Sequence, residues 1–292
     1  MNILYLVFGD NIQNHKQANF SIYTFLLQKD FVDHIIIVTD APSYYSHLKD
    51  SRVIVKSVDE QTLNDWRGPY DFFWRIKIKA VEAIAYEFKD TSLLYLDSDT
   101  FLYGDLAEIK NRLDKGFNTM HLNEGKLSEL GSKTEKKMWD QSNGKSFGGV
   151  TINAEHCMWN AGVIGISHKN FSNTIPLSLS ICDDMCKGGV TRRLIEQFAF
   201  SVALCADEDT PMVASDDIIG HYWGNKEGWN EVITSFFVKA HLGGLTQDEE
   251  LEELRKMDLL KIPVKVGIPN TRKRLHKLIM KWFPDKGIEY IQ

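Results

Sequence analysis

The chain has 292 residues, 34 Lys plus Arg against 40 Asp plus Glu, with 43% hydrophobic and 11% aromatic residues. That composition fits one large or two ordinary globular domains and excludes wholesale disorder. A formal net charge of -6 argues against general nucleic-acid binding, and no apolar run approaches the roughly 20 residues of a membrane span.

The opening run Ile3-Leu4-Tyr5-Leu6-Val7-Phe8 has no basic region before it and no small-residue cleavage site after it, so it reads as a buried strand and not as a signal peptide. Strand-like apolar runs recur at 35–39, 52–55 and 92–96. Between the first two, residues 15–29 carry Ala18, Ile22, Phe25 and Leu26 at helical spacing. A second helical stretch, about 71–89, places Ile76, Ala80, Ala83, Ile84 and Phe88 on one face. Strand and helix in alternation with short connections predict an α/β fold, a mostly parallel central sheet flanked by helices. Ligands of such sheets bind beyond the carboxyl ends of the strands. Gly9-Asp10-Asn11 follows the first strand, Asp40-Ala41-Pro42 the second and Asp97-Ser98-Asp99 the fourth. No Gly-x-Gly-x-x-Gly follows a strand and no Walker-type lysine loop exists, which weighs against dinucleotide and P-loop sites.

Downstream, the polar stretch 123–150 reads as a long surface loop, of the kind that forms lids. A strand at 162–166, two helical stretches and a Trp/Gly-rich segment at 221–229 follow. Cys157, Cys182, Cys186 and Cys205 form no Cys-x-x-Cys pair and are expected as free thiols in a reduced, cytoplasmic setting.

Leu93-Leu94-Tyr95-Leu96-Asp97-Ser98-Asp99 is the strongest chemical signal. Residues two apart in extended backbone face the same side, so Asp97 and Asp99 can converge on one cation, and hard oxygen ligands suit magnesium or manganese. An isolated Asp-x-Asp is more often an acidic turn; its place at a strand end is what gives it weight. His221-Tyr222-Trp223-Gly224-Asn225-Lys226 offers a metal-ligating imidazole, a glycine that lets backbone approach a phosphate, and a lysine charge. Alone it reads more readily as an aromatic cluster around a core histidine. Trp159-Asn160-Ala161-Gly162-Val163 otherwise reads as a turn, Glu196-Gln197 as a solvated helix face, and Arg75 with Lys77 as snorkelling side chains.

In this order these elements resemble the nucleotide-sugar glycosyltransferases of GT-A fold, and are most similar to the retaining enzymes of glycosyltransferase family 8. The matching pieces are Tyr95-Leu96-Asp97-Ser98-Asp99, Asn160-Ala161-Gly162-Val163, Glu196-Gln197 and His221-x-x-Gly224, and the resemblance spans about residues 1–230. The family's late motif is His-x-x-Gly-x-x-Lys-Pro-Trp. Here Glu227 holds the lysine position, Lys226 comes one residue early and Gly228 replaces the proline. The resemblance implies a GT-A domain over 1–245 with a C-terminal helical extension over 246–292. It implies a manganese or magnesium ion on Asp97, Asp99 and His221. Catalytic or sugar-positioning roles fall to Arg75, Glu196 and Gln197. Phe8, Asp10, Asn160, Ala161, Gly162, Gly224 and Lys226 lie on the donor side. The implied reaction moves a hexose from a nucleotide-diphosphate sugar, foremost a UDP-sugar, to a glycan or lipid-linked acceptor with retention. A sugar-nucleotide pyrophosphorylase and a non-catalytic glycosyltransferase-like binding subunit are the alternatives.

Charge is uneven along the chain. Residues 261–292 hold eight Lys or Arg against Asp285 and Glu289, a net of +6, which leaves -12 on the first 260. Leu275, Leu278, Ile279, Trp282 and Phe283 fall on one helical stripe, with Lys273, Lys277 and Lys281 opposite. That pattern describes a helix lying in an anionic membrane interface through residues 271–286, a peripheral contact on the inner membrane surface. A helix packed on its own domain is the alternative.

Overall fold

The computed structural model describes residues 1–207, 210–267 and 270–283. In chain order the first half comprises β1 (Asn2–Leu6), α1 (Ile12–Leu26), β2 (His34–Thr39), β3 (Val53–Ser57), α2 (Glu60–Arg67), α3 (Arg75–Glu87), β4 (Leu93–Leu96), β5 (Thr100–Leu102) and α4 (Leu106–Asp114). Polar side chains set several helix starts: Asn11 accepts from the amide of Gln13, Asp59 from that of Thr62 and Asp105 from that of Ala107. Next come β6 (Asn118–Met120), β7 (Asn123–Lys126), α5 (Lys133–Ser142), β8 (Ser146–Phe147), β9 (Val150–Thr151), β10 (Cys157–Trp159) and β11 (Val163–Ile166). The chain continues through α6 (Phe171–Lys187), α7 (Ile195–Leu204), β12 (Met212–Ala214), β13 (Ile219–His221), α8 (Lys226–Gly243), α9 (Gln247–Arg255) and α10 (Asn270–Trp282).

Seven strands form the central sheet in the order β12-β6-β11-β4-β1-β2-β3. β4, β1, β2 and β3 are parallel, β12 is parallel to β6, and β11 alone runs against both its neighbours. The expected mostly parallel α/β sheet is therefore present. Both faces are covered, so the central strands carry apolar residues at successive positions. Leu4, Ile36, Tyr95 and Ile164 join the core beneath α3, α6 and α7. Their neighbours Ile3, Tyr5, Ile35, Ile37, Leu94 and Val163 join the opposite core, with Phe20 and Phe25 of α1 and Trp229 of α8.

The 123–150 stretch departs from its reading as a surface loop. β7 pairs antiparallel with β10, and α5 starts with a reciprocal capping box between Ser132 and Glu135. Leu127, Met138 and Phe147 are buried in the sheet's core. Its apolar residues are too sparse to show a period, since Leu127 follows β7 while Met138 and Phe147 sit in different short elements.

At the C-terminal end, Gly244 closes α8 in the left-handed conformation, with φ 64. α9 packs against α1, and Leu254 and Leu259 enter that core. The following segment crosses the start of α8: Pro263 accepts from Asn225 Nδ2 at 2.7 Å, and the amide of Val266 donates to Gly224 at 3.2 Å. All four cysteines are free thiols. No helix among the described residues is long and apolar enough to cross a membrane.

Candidate active site

β4 delivers Asp97 and Asp99 to the carboxyl edge of the sheet, where the amide of Asp97 donates to Gly162 O at 2.8 Å. β13 pairs antiparallel with β5, His221 opposite Thr100. That pairing carries a histidine from far downstream to the aspartates. One ligand atom from each of Asp97, Asp99 and His221 lies within 4.8 Å of the others. Gly162 is needed beside them, because a Cβ there would stand 2.2 Å from Cε1 and Nδ1 of His221.

Hydrogen bonds fix the imidazole. Asn160 Oδ1 lies 2.9 Å from His221 Nδ1 and also accepts from the amide of Gly162 at 3.1 Å. A carbonyl oxygen only accepts, so Nδ1 carries a proton and Nε2 is the nitrogen turned toward Asp99. Nε2 stands 3.5 Å from Asp99 Oδ1. This donor set of two carboxylates and one imidazole fits a divalent ion. Lys226 Nζ approaches Asp99 Oδ2 from the other side, at 2.9 Å.

Lys77 forms the second charged knot. Its buried ammonium has three acceptors: Asp97 Oδ1 at 3.1 Å, Glu196 Oε1 at 3.1 Å and Ala161 O at 3.2 Å. The contact to Ala161 is a hydrogen bond and the two carboxylates are ion-pair partners. Burial opposes the charge on Lys77, but Asp97 and Glu196 outweigh it and hold the ammonium charged well above the usual lysine range. Glu196 goes the other way: burial raises its pKa, and the single Lys77 does not compensate because Asp97 adds a like charge. Tyr95 completes the knot, its hydroxyl donating to Asp97 Oδ1 at 2.8 Å.

The remaining expected site residues make contacts of their own. Arg75, expected beside the donor sugar, makes a two-point ion pair with Asp183 of α6 at 2.7 and 3.0 Å and donates to Trp66 O at 2.9 Å. Gln197 leaves α7 away from Glu196 and donates to Glu124 Oε2 at 2.9 Å. Asp10 is exposed, while the neighbouring Gly9 amide donates to both oxygens of Asp40 at 3.1 and 3.0 Å. Gly224 gives its missing side chain to packing, since a Cβ there would meet Lys265 Cγ at 2.8 Å.

A cleft of about 270 Å³ opens beside the aspartates, lined by Phe8, Phe73, Trp74, Lys77, Asp97, Asp99 and Lys226 among others. Three site neighbours escaped the sequence reading. Lys77 was weighed only as a snorkelling side chain. Glu124 fell in the supposed loop. His121 packs edge-on against His221, ring centroids 5.4 Å apart, and its pKa is pushed down to about 4 by burial and by His221. A Ser-x-x-Glu capping signal at Ser132 was the cue that the loop carries structure.

No protein-family profile matches the sequence, and no curated protein matches it. Among solved structures, the chain is similar to an active-site mutant of LgtC at 12% identity, with 74% of this chain and 73% of that one covered and a TM-score of 0.49. It is also similar to the galactosyltransferase LgtC in complex with donor and acceptor sugar analogs, at 12% identity, with 94% and 99% covered and a TM-score of 0.43.

Proposed function

We propose that the chain is a divalent-cation-dependent glycosyltransferase of the GT-A type. It moves a hexose from a nucleoside-diphosphate sugar, foremost a UDP-sugar, to a glycan or lipid-linked acceptor. The observation that carries this reading is the convergence of Asp97, Asp99 and His221 at the carboxyl end of β4, beside a cleft lined by aromatic rings and two lysines. Manganese or magnesium would be held by those three residues, and when bound it neutralises charge on the departing nucleoside diphosphate.

The chain's own residues account for the rest. Lys226 opens α8, half-exposed at the cleft, where its ammonium and the helix N-terminus both favour phosphate. Phe8, Phe73 and Trp74 offer ring faces to a base or sugar. Lys77, rather than Arg75, neutralises Asp97 and Glu196 at the cleft, while Asn160, Ala161 and Gly162 hold the imidazole and the ammonium from behind. The anomeric carbon passes through an oxocarbenium-like state. Gln197 is a neutral amide and a poor nucleophile, and Glu196 is tied to Lys77. Attack by the acceptor hydroxyl on the face the diphosphate leaves therefore explains retention best. The acceptor oxygen bonds to the anomeric carbon, the bond to the phosphate oxygen breaks with its electron pair, and the hydroxyl proton passes to that phosphate. A pyrophosphorylase is disfavoured because Asp40 occupies the amide of Gly9, where such a loop would meet phosphate.

The tail fits a second task, peripheral binding to an anionic membrane. Leu275, Leu278, Ile279, Trp282 and Phe283 are all exposed on and just after α10. The part of the expected interface helix beyond 283 lies outside the described residues, as do the side chains of Lys273 and Lys277. Each basic residue near such a surface contributes about 1 kcal/mol, which gives reversible attachment. Cosedimentation with anionic vesicles should fall on truncation after Ile262 and at high salt; equal recovery of both chains in the supernatant would refute it.

A screen of nucleotide sugars with manganese tests the enzymatic reading. At least one donor should be turned over, and chelator should abolish that turnover. Absence of turnover with every donor, together with absence of nucleotide binding, would overturn the proposal.

A further inference from the structure

We infer that Glu124 is a positioning residue that links the two ends of the site, orienting the Gln197 amide at one end and fixing the His221 tautomer at the other. The inference rests on the glycosyltransferase reading for what Gln197 does, but not for what happens at His221. Glu124 sits on β7, facing β10. Its Oε2 accepts from Gln197 Nε2 at 2.9 Å and its Oε1 accepts from Asn160 Nδ2 at 3.1 Å.

An ionised carboxylate has no proton to give, so both amides must turn their NH2 groups toward it. For Gln197 this sends the carbonyl oxygen the other way. For Asn160 it sends Oδ1 toward His221 Nδ1, 2.9 Å away, and the Gly162 amide, 3.1 Å away. Oδ1 can only accept, so Nδ1 of His221 is the protonated nitrogen and Nε2 is left to face Asp99. A polarity chosen at Glu124 thus sets which imidazole nitrogen is a ligand, two hydrogen bonds away. Partners of this kind are what give a ligating histidine its orientation, and losing one typically costs 10–100-fold in metal affinity.

Glu124→Gln keeps the shape but brings an NH2 group against a neighbouring NH2, so one of the two amides must turn over. The test uses the full chain with ¹⁵N-labelled histidine and without metal, the His221 signal being assigned by its loss in His221→Gln. The wild type should show His221 protonated at Nδ1. Glu124→Gln should populate the Nε2-protonated form and weaken Mn²⁺ binding to the bare protein by roughly 10-fold or more. Glu124→Asp, which retains an acceptor-only group, should preserve the wild-type tautomer. In turnover at saturating Mn²⁺, Glu124→Gln should lower kcat more than it raises KM, and in a Gln197→Ala background it should add only the effect of weakened Mn²⁺ binding, which saturating Mn²⁺ removes. An unchanged tautomer, unchanged Mn²⁺ affinity and unchanged kcat together in Glu124→Gln would overturn the inference, because neither amide would then have turned, as would an Asp variant that behaves like the Gln variant. Loss of Mn²⁺ affinity in a protein that turns over no nucleotide sugar would leave this linkage standing and remove the enzymatic reading instead.

Discussion

Arg75 and Lys77 leave opposite faces of α3, about 200° apart at 100° per residue. Arg75 turns outward from the cleft and braces α6 through Asp183. Lys77 turns inward and neutralises the floor of the cleft through Asp97 and Glu196. Glu196 and Gln197 divide in the same way on α7, one toward Lys77 and the other toward Glu124. Adjacent polar residues of similar appearance thus serve separate tasks, and what separates them is the phase of the helix that carries them.

The sharpest way to break this comparison is to remove each cation in turn. Lys77→Met strands two carboxylates in a buried setting and should cost about 3–5 kcal/mol of stability, along with turnover. Thermal or urea unfolding measures the first and donor turnover the second. A Lys77→Met protein as stable and as active as the wild type would dissolve the proposed division. Arg75→Met loses a partly buried pair and should cost about 1.5–3 kcal/mol in the same unfolding assay. Its folded fraction should retain wild-type kcat, so a specific loss of turnover would return Arg75 to the sugar site. Smaller effects are expected on α7. Glu196→Gln and Gln197→Ala should each lower kcat by about tenfold or more, near 1.4 kcal/mol of transition-state stabilisation, while nucleoside-diphosphate affinity stays nearly constant. A parallel fall in both quantities would mean that these residues serve binding and not the reaction.

These neighbours also mark how far the sequence could be read. Asp97 and Asp99 were legible because an apolar strand ends on them, and strand ends are where such sheets bind ligands. His221 was legible only through the order of motifs, because the β13–β5 pairing that brings it home leaves no local periodicity. The choice between Arg75 and Lys77 was legible in principle, since at 100° per residue Lys77 falls between Ile84 and Phe88 on the apolar face of α3 and Arg75 falls opposite, but the motif resemblance pointed to Arg75. Glu124 stayed hidden because β7 is four residues long and finds its partner, β10, more than thirty positions away. The stripe at 275–283 was visible from spacing alone, and its apolar residues are exposed.

The central claim is that Asp97, Asp99 and His221 form one cation site serving a nucleoside diphosphate. Titration of UDP into the protein by calorimetry, with Mn²⁺ and then with excess chelator, tests it directly. The account predicts that Mn²⁺ tightens binding and that Asp99→Asn abolishes this gain while the protein remains folded. Equal affinity in Mn²⁺ and in chelator for the wild type, or a full gain retained by Asp99→Asn, would contradict it.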